Sequence, residues 1–434
     1  YFYKRAFYVA VLLIGLQQHS AISELFDVEF SCLRSDTRLP IVVLRPKSGV
    51  KHLGKLGCTV RILPSIAHDT LPLRRLSPER NYVRPSYISN AKEAESDEAN
   101  LPATPQYSAA ILSDALLLTH MKYLFETTEM CPEFPRAATL LRIWIGQRTA
   151  AGRKLGSHKL AGSQRLNGFV LTMLLAWLLR CAHSGSSSGP KLSGTMSAYQ
   201  LFKGVIEFLA VHDFEEAPIQ FGAEANMDAF GDNFGAVFVD PTDSLNLLSG
   251  VQEWELAELR MEARLTALDI NHHAEDRFTR VFLSAALTDV SAKYDHVFRL
   301  EVDLSKFLSP KHGAELKPAR RLAELEFGHP VAAVQNRIAS FLSSALEKHA
   351  RLVAVHPCVD ACFEDGVKAM RRHVFFIGIV ADAAEARRLV DLGPNPDAQP
   401  LEASRFRAYW GERAELRRFR DGAIRLATVW GAGE

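Results

Sequence analysis

Hydrophobic positions change their period three times along the chain, and each change predicts a different kind of layer. Residues 1–18 read as a helix: Tyr1, Phe2, Tyr3, Phe7 and Tyr8 stand beside an apolar run from Ala6 to Leu16. Phe26-Asp-Val-Glu-Phe30 then alternates, the mark of a half-buried strand with Phe26, Val28 and Phe30 inward and Asp27 and Glu29 in water. Ser35-Asp-Thr37 supplies a turn, Leu39 to Arg45 a more buried strand, and Cys58 to Ile66 a third strand. A polar stretch from Ala67 to Pro105 ends in the acidic run Asn90 to Asn100. That run buries too little apolar area to hold a shape, so it reads as a mobile linker.

From Tyr107 the period becomes helical. One helix is expected through Ile111, Ala115, Leu118 and Met121, a second over Ala137 to Gln147, and a third over Phe169 to Cys181 that is apolar nearly all round. The Ser-Gly run His183 to Pro190 reads as a flexible loop, followed by helices over Tyr199 to Val211 and Trp254 to Ile270. The last third alternates: a strand at Tyr294 to Val302, a helix over Pro330 to His349, strands at Arg351 to Val355 and His373 to Ala381. Helices are then expected at Ala383 to Asp391 and Ala403 to Phe419, with a final strand at Ala423 to Val429. That order approximates β-α-β-β-α-β, the split ferredoxin-like arrangement. The predicted fold is α+β and multidomain: a partial α/β domain with a long loop (1–104), an all-helical domain (105–275) and a ferredoxin-like α/β domain (276–434).

Composition changes this picture little. Across 434 residues, 51 Lys plus Arg balance 50 Asp plus Glu, so no global field draws the chain to nucleic acid and any contact must be local. Six scattered cysteines fit free thiols in a reducing compartment better than a disulfide framework. The chain opens at Tyr1 inside a regular pattern, which reads as part of a longer protein. Ala6 to Leu16 is too short to span a bilayer, so no membrane partner is expected.

Four stretches carry candidate chemistry. Asp27 and Glu29, two apart on a strand, share a face, as do the metal-holding acids of polymerase-type nucleotidyltransferases. No Gly-Ser turn precedes them, and the solvated-face reading is preferred. Val60-Arg61-Ile-Leu-Pro64 resembles the strand bearing the third catalytic carboxylate of archaeal CCA-adding enzymes and oligoadenylate synthetases, with Arg61 at the carboxylate position. A guanidinium cannot ligate magnesium and repels it. Leu166 to Trp177 resembles the central helix of those enzymes' helical domain. Phe238-Val-Asp-Pro-Thr-Asp-Ser-Leu-Asn246 resembles their Asp-Pro loop, although Asp240 could equally just cap a turn.

Tyr1-Phe-Tyr-Lys-Arg-Ala-Phe7, Leu140 to Trp144, Ser197 to Phe202 and the long run Phe406 to Gly422 resemble signatures of the Nrap (nucleolar RNA-associated) proteins of the small-subunit processome. The resemblance implies the first of two successive structural units in that family. It also implies a nucleolar scaffold bound to pre-ribosomal RNA, a ribosomal-RNA-processing assembly factor, casein kinase II subunits and other processome proteins. It implies no cofactor and no active site. Candidate RNA contacts are Arg405, Arg407, Arg413, Arg417, Arg418 and Arg420, with Arg425 nearby. Arginine's planar fork suits phosphate, and a helix over Ala414 to Phe419 would put Arg413 and Arg417 on one face. A solvated helix face is the plainer alternative. Trp410 and Phe419 read as core anchors, and Arg74, Arg75, Arg80 and Arg84 form a weaker basic patch. His349, His356, Cys358 and Cys362 lack the close Cys-x-x-Cys spacing of structural zinc, and His272-His273 lacks the order of a metalloprotease helix. The expected function is a non-catalytic scaffold. The rivals are an active template-independent nucleotidyltransferase acting on RNA 3′ ends and a purely protein-docking module.

Overall fold

The protein's computed structural model describes residues 1–33, 36–47, 58–67, 70–83, 102–149, 154–155, 158–160, 165–180, 192–272, 275–283, 290–304, 325–346, 349–358, 372–385 and 389–429. The acidic run 90–100, the Ser-Gly run 183–190, Arg84, Cys181, Cys362 and His273 lie outside these residues.

At the amino end, helix α1 (Phe2–Gln18) and the single turn α2 (Ser20–Ser23) lead into an antiparallel sheet ordered β1-β2-β3, with β1 at Phe26–Cys32, β2 at Pro40–Pro46 and β3 at Val60–Ile62. The register sets Asp27 opposite Arg45, Glu29 opposite Val43 and Val43 opposite Arg61. Because side chains alternate, Phe26, Val28, Val42, Leu44 and Ile62 share the face that packs on Val9, Leu13 and Leu16 of α1. Phe30 lies on that face too, but on the edge strand past the packed positions, and is 55% exposed rather than buried. The third strand is shorter than its apolar pattern suggests.

The next layer is a helical core: α3 (Pro105–Ala115), α4 (Leu117–Met130), α5 (Phe134–Thr149), a hairpin of β4 (Lys154–Leu155) and β5 (His158–Lys159), α6 (Gly168–Arg180) and α7 (Ala198–Val211). Parallel β6 (Ile219–Gln220) and β7 (Phe238–Val239) flank α8 (Met227–Asn233), and α9 (Glu253–Ile270) closes the layer. Every residue of α6 from Val170 to Leu178 is buried, which is why its sequence has no polar face. Trp144 is fully enclosed, its Nε1 donating to Thr266 Oγ1 at 3.0 Å. Ser197 and Gln200 form a reciprocal capping box at the start of α7.

One expectation fails in this layer. The single helix predicted through Ile111 and Met121 is two helices that break at Leu116, a wholly buried residue with ψ near zero. Neither Gly nor Pro marks the break, so only packing reveals it. Within the polar stretch that precedes the acidic run, residues 73–76 form a 3-10 turn, and Leu76 is buried in the helical core.

In the last third, β8 (His296–Asp303), α10 (Pro330–Ala345), β9 (Ala350–Pro357) and β10 (Arg372–Ala381) build an antiparallel sheet ordered β8-β10-β9. This is the order of the first three strands in a ferredoxin-like sheet. The fourth strand does not join it. β11 (Val390–Leu392), β12 (Glu415–Arg418) and β13 (Ile424–Val429) form a separate sheet ordered β11-β13-β12, beside α11 (Pro400–Trp410). Of the helix expected over Ala383 to Asp391, residues 383–385 form a turn and Val390 and Asp391 belong to β11. The helix expected to reach Phe419 ends at Trp410, because Gly411 takes φ +55 and the chain turns back to pair with β13. Trp410 and Phe419 are half-buried, not core anchors.

Candidate functional site

The face of the first sheet opposite α1 carries Asp27, Glu29, Arg45 and Arg61 around the buried Ile41 and Val43. The two acids thus share a face with Arg61, as their strand positions require. They do not stand alone. Arg45 lies directly across from Asp27, and its Nε donates to Glu29 Oε2 at 2.8 Å. Arg61 sits one strand beyond Val43 from Glu29 and is exposed. Two carboxylates are therefore matched by two guanidiniums on one surface. Magnesium sites need a surplus of oxygen donors, and the described residues of this surface supply none. Among the described residues no group of three or more His, Cys, Asp or Glu is placed to hold a metal.

The Asp-Pro loop is a buried hub. Asp240 is fully enclosed; its Oδ1 accepts from the amides of Ser244 (3.1 Å) and Leu245 (2.8 Å). Its Oδ2 accepts from Thr242 Oγ1 (2.7 Å) and from His120 Nε2 (2.8 Å), itself buried on α4. Burial pushes this carboxyl up. The hydrogen bond and charge of His120, with the Leu245 amide and the Thr242 hydroxyl, outweigh that and hold it below the usual range. Asn246 ties the loop to β7, accepting from Phe238 N at 3.0 Å and donating to Ala236 O at 2.8 Å. The loop is more than a capped turn, and His120 gave no signal in the sequence because its partner lies 120 residues away.

A second hub locks the three parts of the chain together. The guanidinium of Arg38 grips Asp36 (2.6 Å) and donates to the carbonyls of Leu325 (2.9 Å) and Glu326 (2.7 Å). Glu326 in turn accepts from the amides of Gln106 (2.5 Å) and Tyr107 (3.0 Å), capping the start of α3. Burial would raise Asp36, but hydrogen bonding and charge from Arg38, with the charge of Arg165, hold it low. Burial dominates at Glu326 and pushes it up to about 7, despite the two amides and the charges of Arg38 and Arg165. A buried ion pair, Arg5 Nε to Asp114 Oδ2 at 2.5 Å, fastens α1 to α3, and Tyr1 Oη donates to the same carboxylate.

The candidate RNA-binding arginines fall on one exposed region but not on one helix. Arg405 and Arg407 are on α11, Arg413 follows it, Arg417 and Arg418 are on β12, Arg420 is in the turn and Arg425 is on β13; all are exposed. The face expected from Arg413 and Arg417 does not form, since residues 415–418 are a strand. In its place the register sets Arg417 directly opposite Arg425. Like charges so placed repel, and Glu415, 2.6 Å from Arg417, partly offsets them. Arg74, Arg75 and Arg80 are exposed elsewhere.

The remaining motifs have structural partners. His356 Nε2 lies 2.6 Å from the Tyr294 hydroxyl, which also donates to Glu258, in a buried network between α9 and the β8-β10-β9 sheet. His349 faces Asp391 at 3.2 Å, and Cys358 is buried.

Three family models match in succession and leave almost no residue between them: Nrap protein domain 1 over residues 1–130, the Nrap protein PAP/OAS-like domain over 133–285, and Nrap protein domain 3 over 290–434. The middle match sets the class, an α+β protein built round a helical core of the PAP/OAS-like kind. The chain belongs to the Nrap family. It is 31% identical over 442 residues to "Nucleolar protein 6" of Mus musculus, covering 100% of this chain and 35% of that protein. It is 26% identical over 461 residues to "U3 small nucleolar RNA-associated protein 22" of Saccharomyces cerevisiae, covering 99% of this chain and 36% of that protein. The chain therefore spans about a third of these relatives' length. Among solved structures, the Cid1 poly(U) polymerase superposes with a TM-score of 0.34 at 14% identity, over 64% of this chain and 76% of that one. So loose a superposition bears on no residue of the site.

Proposed function

We propose that the chain is a non-catalytic scaffold piece of the small-subunit processome, acting in the nucleolus during ribosomal-RNA processing. The observation that carries this reading is the sheet face on which Arg45 and Arg61 match Asp27 and Glu29. A nucleotidyltransferase-type framework offers a broad surface suited to RNA, and losing its metal-holding charge leaves the surface without the chemistry. The names of the nucleolar and U3-associated relatives support the setting.

On this reading pre-ribosomal RNA meets the α11–β13 region through Arg405, Arg407, Arg413, Arg418, Arg420 and the opposed Arg417 and Arg425, whose repulsion a phosphate would relieve. A ribosomal-RNA-processing assembly factor, casein kinase II subunits and other processome proteins are the protein partners. Ultraviolet crosslinking of the protein in its native particle tests the RNA assignment: crosslinks should map to residues 405–425. Crosslinks mapping wholly elsewhere, with partner recovery lost on charge reversal of Arg417 and Arg418, would instead make this region a protein-docking module.

A further inference from the structure

The β8-β10-β9 sheet has one edge that is met and one that is open. At the β9 edge, Leu160 bridges to Cys358 and is buried in the sheet's own core. At the other edge, β8 pairs with β10 through eight successive residues without a bulge, and among the described residues no second strand joins it. Among those residues, no main-chain bond from His296 to Val302 reaches any other part of the backbone. About half the main-chain donors and acceptors of such a strand point outward, ready to pair with another strand.

The covering helices leave this edge clear, since α9 and α10 both lie over β9. Phe298 on β8 is 53% exposed although Ile377, its cross-strand neighbour on β10, is only 8% exposed. The apolar layer therefore runs out at β8 without a cover. Proline, lysine and a bulge, which commonly guard a free edge, are missing from His296 to Asp303.

The order of side chains along β8 selects what pairs there. Alternation puts Phe298, Leu300 and Val302 on one face and Arg299 and Glu301 on the other. Arg299 and Glu301 are exposed and pair with each other along the strand. Laid antiparallel on a second β8, with Leu300 facing Leu300, the strand meets its own complement. Arg299 falls opposite Glu301 of the copy, Glu301 opposite Arg299, and Phe298 opposite Val302. A shift of two residues sets Arg299 or Glu301 against itself, and a shift of one sets apolar side chains against charged ones. β1, another long edge strand, lacks this property: Asp27 and Glu29 stand at the same spacing and repel their copies.

We propose that β8 is a self-pairing edge through which two copies of this chain associate. A two-fold axis through Leu300, perpendicular to the sheet, joins two three-stranded sheets into one of six strands. The exposed Phe298 gains a neighbour in Val302 of the copy, and the ion pairs within each strand give way to pairs across the junction. One strand pair buries little area, so the association is weak and depends on concentration, as transient contacts do. It uses neither the arginines of 405–425 nor the sheet face that bears Arg61.

The test is sedimentation equilibrium of the full chain from about 1 µM to about 1 mM, where the wild type should dimerise reversibly. Arg299→Glu sets acids against acids, and Glu301→Arg sets bases against bases. Each should weaken dimerisation about tenfold with thermal unfolding unchanged. An equimolar mixture of the two variants restores opposite charges at both positions and should associate about as tightly as the wild type. So should the double variant, and a merely structural effect of either change would produce neither rescue. A chain that stays monomeric at about 1 mM would overturn the proposal and leave the edge to a strand of another protein. Dimerisation undiminished in both single variants would overturn it too, placing the contact on another surface such as the exposed outer side of α1. So would a mixture that associates no more tightly than its components.

Discussion

His120 and Asp240 hold each other at 2.8 Å inside the helical core, both sealed from water although 120 residues apart in the chain. The contact fixes α4 against the loop that follows β7, and it makes the Asp of a turn-forming Asp-Pro dipeptide a buried carboxylate bonded to His120, Thr242, Ser244 and Leu245. Removing the imidazole would leave Asp240 buried without its cationic or donor partner. His120→Ala should therefore destabilise the protein by about 3–5 kcal/mol in denaturant unfolding. His120→Gln, which restores an N–H donor, should recover part of the loss.

The same carboxylate gives a pH dependence whose sign follows from its lowered pKa. Asp240 is more acidic folded than unfolded, so its contribution is complete above the unfolded value, about 3.9, and is lost as pH falls through the lower folded value. Asp240→Asn should flatten this acid limb of the stability profile.

Glu326 behaves oppositely. Its pKa rises to about 7 in the fold, so its contribution is complete below the unfolded value and disappears as pH climbs through about 7. Glu326→Gln should leave stability steadier between pH 5 and 8 than the wild type, measured by thermal unfolding at about each of those values. An unchanged slope would show that this carboxyl does not titrate within the junction.

Arg38 ties the first part of the chain to residues 325–328, through paired bonds to Asp36 and through the carbonyls of Leu325 and Glu326. Arg38→Ala should cost about 3–5 kcal/mol, since it strands Asp36 without its nearest cation. Arg38→Lys should rescue little, because an ammonium cannot reproduce the guanidinium's directions. Hydrogen exchange should report the damage first at Gln106 and Tyr107, whose amides Glu326 caps.

Arg417 and Arg425 face each other across β12 and β13. Arg425→Thr should raise thermal stability slightly, by about 0.2–1 kcal/mol, while reducing RNA crosslinking. Gain of stability without loss of crosslinking would remove this pair from the RNA surface.

Much of the fold is legible in the chain where one local period decides the outcome. The alternation of Phe26 to Val28 and the all-apolar run of α6 declare a half-buried strand and a buried helix, because each reports its own surroundings. Elements settled by distant partners are not legible. The break at Leu116 has no Gly or Pro, and Leu76 is drawn from a polar stretch into the helical core by contacts made elsewhere. The strand at Glu415 to Arg418 looked helical because charged residues carry helix propensity; pairing with β13 overrides it after Gly411 turns the chain. Of the site, Arg61's place on the face of Asp27 and Glu29 follows from strand alternation alone. Arg45's bond to Glu29 and the Glu326 cap needed the register and the folded contact.

The central claim is that the charges on that sheet face rule out metal-assisted nucleotide transfer. The direct measurement is magnesium-dependent addition of labelled nucleotides to an RNA 3′ end by the complete protein. The account predicts no addition above a protein-free control. Incorporation that requires magnesium and is lost on Asp27→Ala with Glu29→Ala would contradict it.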